Sequence, residues 1–147
     1  MTKWTWVFLA LVACGAGSAD GAPSGAQVAA APAPAAAKDV SVTALAEAQA
    51  RGARILDVRT VTEWNEGHVP GAIHVPLDQL DAEAPALAGV PKDQPVYLIC
   101  ASGGRSKVAA NRLAKAGFQA YNVEGGTNGW IAAGLPVEKP APAAPTP

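Results

Sequence analysis

Cys100-Ala101-Ser102-Gly103-Gly104-Arg105-Ser106 brings a thiol, two glycines and an arginine into one short segment. It follows the apolar run Val96-Tyr97-Leu98-Ile99 and precedes a helix-forming stretch. That is the position at which α/β sheets present ligands, beyond the carboxyl ends of their strands. Glycines let the backbone turn its N–H groups inward, and the start of the helix adds its positive dipole end, which together make an anion cradle. A thiol in such a cradle has a depressed pKa, because the charged thiolate is the form that the N–H groups and Arg105 favour. The product is a nucleophile usable near neutral pH. Leu98 to Val123 contains Arg105, Lys107, Arg112 and Lys115 but no acidic residue, so the segment is locally basic in a chain of formal net charge -1. An inert buried cysteine at a strand end would need neither the glycines nor the arginine.

The elements that position this loop alternate short apolar runs with helix-like segments, the pattern of an α/β fold with a mainly parallel sheet. Val40-Ser41-Val42 reads as a short edge strand, with Thr43 capping a helix that runs to Arg51 and stops at Gly52. Arg54 to Val58 reads as a buried strand, and Thr60-Val61-Thr62-Glu63 fits a capping box. A turn at Gly67-His68-Val69-Pro70-Gly71 leads to a strand over Ala72 to Val75 that Pro76 closes. After the Val96 to Ile99 strand, a helix is expected from about Ser106 to Ala116, ending at Gly117. A strand over Ala120 to Val123 and a short helix around Thr127 to Ala133 complete the module, which spans 39–137.

Several of these pieces resemble landmarks of single-domain rhodaneses, sulfurtransferases that carry sulfur as a cysteine persulfide. In order they are Asp57-Val58-Arg59, Glu63, Gly67 to Ala72, Cys100 to Ser106, Glu124-Gly125-Gly126 and Trp130. The resemblance implies a rhodanese-like three-layer α/β fold, a small, mainly parallel five-stranded sheet with helices on both faces. It implies that Cys100 takes the outer sulfur of a donor such as thiosulfate and passes it to a thiophilic acceptor. The N–H groups from Ala101 through Ser102, Gly103, Gly104, Arg105 and Ser106 would hold the persulfide, with Arg105 as electrostatic partner. No cofactor or metal is implied. Position 101 is alanine where thiosulfate-using members often carry a larger polar or basic residue, so a persulfide, a polysulfide or a protein partner is an alternative source of sulfur. The alternative function is a carrier, sensor or binding module that relays sulfur to a protein partner without efficient turnover.

A cysteine phosphatase also sets a cysteine and an arginine over an anion cradle. Classical tyrosine phosphatases resemble His-Cys followed by five residues and arginine, whereas here Ile99 precedes Cys100 and the spacer Ala101 to Gly104 is one residue shorter. The shorter ring suits a sulfur atom better than a phosphoryl group. Around the loop, Asp57, Arg59 and Glu63 are expected to form a supporting ion-pair network, and His68 to hydrogen-bond loop backbone rather than act as a base. Trp64, Phe118 and Trp130 read as core or pocket wall, and Lys107, Arg112 and Lys115 as a solvated helix face.

Composition limits the rest of the chain. At 147 residues there is room for one ordinary domain, two cysteines cannot build a disulfide framework, and a pI near 6.1 gives no field to attract nucleic acid. Lys3 and the mostly apolar run Trp4 to Ala13 read as a signal peptide over 1–14, too short to span a bilayer comfortably. Leu11-Val12-Ala13-Cys14-Gly15 resembles a bacterial lipobox, which implies lipidation of Cys14 and attachment at the periplasmic face of a membrane. The alternatives are cleavage among the small residues Ala16 to Ala22, leaving a soluble periplasmic or secreted domain, and an uncleaved anchor. Over 15–38 only Asp20, Gln27, Val28 and Lys38 are not Ala, Gly, Pro or Ser, so the segment reads as a flexible linker of roughly 25–30 Å root-mean-square span. The Ala/Pro stretch 138–147 reads as a disordered tail.

Overall fold

The computed structural model describes residues 36–140. The expected signal peptide 1–14 and lipidation site Cys14 lie outside the described residues, as do most of the expected linker and tail. Five strands form one sheet: β1 (Lys38–Val40), β2 (Arg54–Asp57), β3 (Ile73–His74), β4 (Pro95–Ile99) and β5 (Gln119–Val123). Their order is β1-β5-β4-β2-β3, and every pairing is parallel. Among the described residues the α-helices are α1 (Val42–Ala50), α2 (Val61–Glu66), α3 (Gly104–Lys115) and α4 (Gly126–Ala132).

The two-residue period of the strands divides the core between the two faces of the sheet. Leu56, Val96, Leu98 and Ala120 point to one face, where they pack with Ala109, Ala110 and Leu113 of α3. Ile55, Ile99 and Val123 point to the other, against Leu45 of α1 and Trp130 of α4. Strands covered on both sides read as continuous apolar runs, which is why β2 and β4 are so plain in the sequence. Cys100, one residue beyond β4, falls on the α3 face and is 1% exposed.

Local boundaries shift from those expected, each for a visible reason. The first strand is Lys38–Val40 rather than Val40 to Val42, because Ser41 leaves the sheet and caps α1, its hydroxyl accepting the Ala44 N–H at 3.2 Å. Thr43 therefore lies inside the helix rather than at its cap. Helix α3 starts at Gly104, two positions earlier than expected, since Gly103 at φ 104° makes the turn out of the loop. The capping box at the start of α2 forms as expected between Thr60 and Glu63. A short 3₁₀ turn over Pro85–Leu87, absent from the sequence reading, buries Leu87. Glu138, placed at the head of the tail, is instead tied to the domain: it exchanges backbone hydrogen bonds with His68 at 2.8 and 2.9 Å.

Helix α4 docks end-on against the loop after β4. The Thr127 N–H donates to the Cys100 carbonyl at 2.8 Å and the Asn128 N–H to the Ala101 carbonyl at 3.0 Å. Gly126 makes this approach possible, since a Cβ there would lie 2.1 Å from the Cys100 carbonyl oxygen. At the neighbouring Gly125 a Cβ would meet only ordinary contacts, 3.5 Å from Gly129 Cα. Both glycines have positive φ. Gly126→Ala is therefore expected to cost about 3 kcal/mol or more, and Gly125→Ala about 1 kcal/mol, by urea unfolding of the two variants. Equal losses would show that backbone conformation, rather than the contact with Cys100, governs both positions.

Candidate active site

The loop from Cys100 to Ser106 closes around its own sulfur. The Gly103 N–H donates to Cys100 Sγ at 3.1 Å, and the Ser106 hydroxyl lies 3.4 Å from it. Burial pushes the thiol pKa up, but the Ser106 hydroxyl and the N–H groups of Ser106, Ser102 and Gly103 more than offset this and hold it below its ordinary value. The thiolate is thus stabilised chiefly by main-chain donors and one hydroxyl.

Arg105 takes a more divided role than an electrostatic partner of sulfur alone. Its guanidinium forks onto Glu63, with Nη1 to Oε2 at 2.8 Å and Nη2 to Oε1 at 2.5 Å. Glu63 is the strongest influence holding Arg105 charged, and the Cys100 thiolate is a lesser one. In return, Arg105, with help from Thr60, holds the Glu63 carboxyl down at about 2 against the opposing effect of burial. One carboxylate therefore caps α2 and anchors the start of α3.

Asp57 and Arg59 form a second, buried ion pair at the end of β2. Arg59 Nη2 lies 2.8 Å from Asp57 Oδ2 and also donates to the Gly67 carbonyl at 2.8 Å. His68 sits in the turn so fixed. Its ring is stacked on Trp64, with Nδ1 3.1 Å from the Trp64 carbonyl oxygen and Nε2 3.4 Å from Glu138 Oε1. The structure therefore joins Glu63 to Arg105 at the loop, while Asp57, Arg59 and His68 make a separate group that shapes the neighbouring turn. Beside the loop lies a cleft of about 330 Å³ lined by Val58, Arg59, Thr60, Pro76, Leu77, Asp78, Arg105 and Arg112.

Two residues near the site, Asn122 and Asp39, escape the sequence reading. Asn122 of β5 is 2% exposed, accepts from the Ser106 hydroxyl at 2.7 Å and donates to Asp39 Oδ1 at 2.8 Å. Lys107 closes on Asp39 Oδ2 at 2.8 Å. The available signal was Asn122 itself, a lone polar residue on the α3 face of a strand that is otherwise buried there.

The Glu63–Arg105 pair has a defined pH window. Its folded carboxyl lies at about 2 against an ordinary 4.5, so its stabilisation is present above about pH 4.5 and is lost as pH falls toward 2. With side chains 30% and 38% exposed, screening keeps the contribution modest. Glu63→Gln keeps a helix-capping amide but removes the charge. Urea midpoints of this variant are expected to fall less steeply than those of the wild type across that window. Parallel declines would assign the acid sensitivity to other carboxylates.

Known proteins share the fold of this chain. Residues 41–133 match the rhodanese-like domain family model. A protein of Allochromatium vinosum named sulfurtransferase is 31% identical over 94 residues, covering 63% of this chain and 85% of that protein. A Bacillus subtilis protein named for sulfur carriage is 39% identical over 77 residues, covering 52% of this chain. This chain spans only 40% of that relative's length. The crystal structure of a rhodanese-like domain protein from Staphylococcus aureus superposes with a TM-score of 0.59 at 30% identity, over 71% of this chain and 99% of that one. With its parallel five-stranded sheet and a cysteine loop at the carboxyl end of β4, this chain belongs to the rhodanese-like domain family.

Proposed function

We propose that the domain is a sulfurtransferase that carries sulfane sulfur as a Cys100 persulfide, from a donor such as thiosulfate to a thiophilic acceptor. The observation that carries this reading is the closed loop around sulfur, with the Gly103 N–H at 3.1 Å and a thiol held below its ordinary pKa. The Cys100 thiolate attacks the outer sulfur of the donor. A new S–S bond forms, the donor's own S–S bond breaks, and sulfite leaves with the bonding pair when the donor is thiosulfate. The negative charge then resides on the outer persulfide sulfur, where inward-facing N–H groups favour it without reorganising. An acceptor nucleophile removes that sulfur and Cys100 departs as the thiolate. The family membership and the names of the relatives support the same chemistry.

A relay of sulfur to a protein partner is the second reading. It is favoured by Ala101, which offers no side-chain charge, and by Arg105, whose charge is largely taken up by Glu63. Intact-mass measurement after incubation with thiosulfate, polysulfide or a low-molecular-weight persulfide is expected to show one added sulfur atom, absent from Cys100→Ser. No adduct with any donor would overturn both readings. Given an adduct, thiocyanate formation from thiosulfate and cyanide no faster than in Cys100→Ser would leave the relay reading alone.

The sequence 1–14 and the small residues after it support an exported domain anchored through Cys14. Mass spectrometry of the mature N-terminus is expected to find a lipidated Cys14, and an unmodified terminus downstream of it would refute the anchor.

A further inference from the structure

The Ser106 hydroxyl lies between two groups that compete for its single hydrogen. It is 2.7 Å from Asn122 Oδ1 and 3.4 Å from Cys100 Sγ. A serine hydroxyl has one hydrogen to give and two lone pairs to accept with, so it cannot donate to both. The orientation of the Asn122 amide is fixed by its other neighbour: Asp39 Oδ1, 2.8 Å from Nδ2, is a carboxylate oxygen and can only accept. Lys107, 2.8 Å from Asp39 Oδ2, keeps that carboxyl ionised, its pKa lowered by Lys107 and Asn122. With Nδ2 committed to Asp39, Oδ1 must face Ser106 and draw its hydrogen. Ser106 is then left with lone pairs toward sulfur.

We propose that Asn122 is a positioning residue that turns the Ser106 hydrogen away from Cys100 while the thiol is protonated, so that thiolate formation requires this hydrogen to swing from Asn122 to sulfur. In the resting state Cys100 S–H donates to Ser106 Oγ, and Ser106 O–H donates to Asn122 Oδ1. On ionisation the thiol proton passes to solvent, the hydroxyl rotates, and Ser106 O–H donates to the sulfur anion. Once the outer sulfur is attached and the inner sulfur loses its charge, the hydroxyl returns to Asn122. The chain Cys100–Ser106–Asn122–Asp39–Lys107 thereby favours the neutral thiol and the loaded persulfide over the empty thiolate.

The other charged groups around the sulfur leave this competition intact. Arg105 of α3 favours the thiolate through space but is paired with Glu63 of α2, and Asp57 and Arg59 at the end of β2 are paired with each other. Helix α4 carries no ionisable side chain, and Tyr121 of β5 stacks on Tyr97, an even number of residues from Val123 and Ile99 on the opposite face of the sheet. All of these remain in place when Asn122 alone is changed.

The test is the pH dependence of Cys100 alkylation by iodoacetamide, followed by intact mass, in Asn122→Leu and Asn122→Ala, each with and without Ser106→Ala. Freeing the hydroxyl to donate to sulfur is expected to lower the apparent thiol pKa by about one unit, the size of one charge-assisted hydrogen bond. Below the pKa that gives about tenfold more thiolate, and about threefold faster alkylation once the lower nucleophilicity of a more acidic thiol is included. With Ser106→Ala already present, changing Asn122 is expected to shift nothing. An unchanged or raised pKa in either folded Asn122 variant, or an equal shift with and without Ser106, overturns the proposal. The two sizes of replacement guard against one failing to fold, which a urea midpoint reports. The inference rests on Cys100 being the reactive thiol of the proposed sulfur transfer. Alkylation needs no sulfur donor, so its outcome is separate from whether a persulfide forms.

Discussion

The approach of the α4 N-terminus to the loop after β4 is the constraint on which the site depends. Thr127 and Asn128 satisfy the carbonyls of Cys100 and Ala101 from one side, so those peptide groups turn their oxygens toward α4. The N–H groups that follow are thereby left to face inward around sulfur. Gly126 permits this because the distance from its Cα to the loop leaves no room for a Cβ. The anion cradle is thus a consequence of backbone packing between two parts of the chain far apart in sequence. Trp130 secures the contact from behind, buried on the same face as Leu45 and with its indole N–H donating to the Pro136 carbonyl at 2.7 Å.

A cradle built from main-chain donors changes the part that charge plays. A free arginine beside the sulfur would favour any anion, thiolate or donor alike. Here Glu63 holds that arginine in a bidentate grip, and the direct hydrogen bonds to sulfur come from a glycine N–H and a serine hydroxyl. The pair also links α2 to α3, because Glu63 closes the capping box with Thr60 while it holds Arg105. A single carboxylate therefore sets the start of both helices that flank the loop. The buried Asp57–Arg59 pair does a similar task one step away, fixing the Gly67 carbonyl and through it the turn that carries His68.

Legibility in the sequence followed the range of the interactions. Strands β2 and β4 were plain because burial on both faces leaves uninterrupted apolar runs, and the capping box was plain because its two partners lie three residues apart. The loop was legible because glycine positions report backbone requirements directly. The network at Asn122 was not, because its members come from β1, α3 and β5 and meet only through the strand order β1-β5-β4. Arg105 lies in the loop by sequence, but its preference for Glu63 over sulfur depends on where α2 sits, which no local pattern encodes. The first strand differs from its expected position because Ser41 and Thr43 both suit a helix cap, and only the pairing of Lys38–Val40 with Tyr121 to Val123 decides between them.

The separation of cradle from cleft has a consequence for selectivity. The closest hydrogen bonds to sulfur come from the Gly103 N–H and the Ser106 hydroxyl, groups that favour a sulfur anion whatever molecule delivers it. The cleft beside it is lined by different chemistry, with Pro76, Leu77 and Val58 against Arg59, Arg105 and Arg112. Two of those arginines are bound to carboxylates, and Arg112 donates to the Leu77 carbonyl at 3.1 Å. Cationic groups that are already paired bind an incoming anion only by exchanging partners, which costs part of the gain. Such a cleft discriminates by shape and by contact with its apolar wall more than by net charge. On the proposed function, the sulfur chemistry would stay fixed while residues outside the loop set the identity of donor and acceptor.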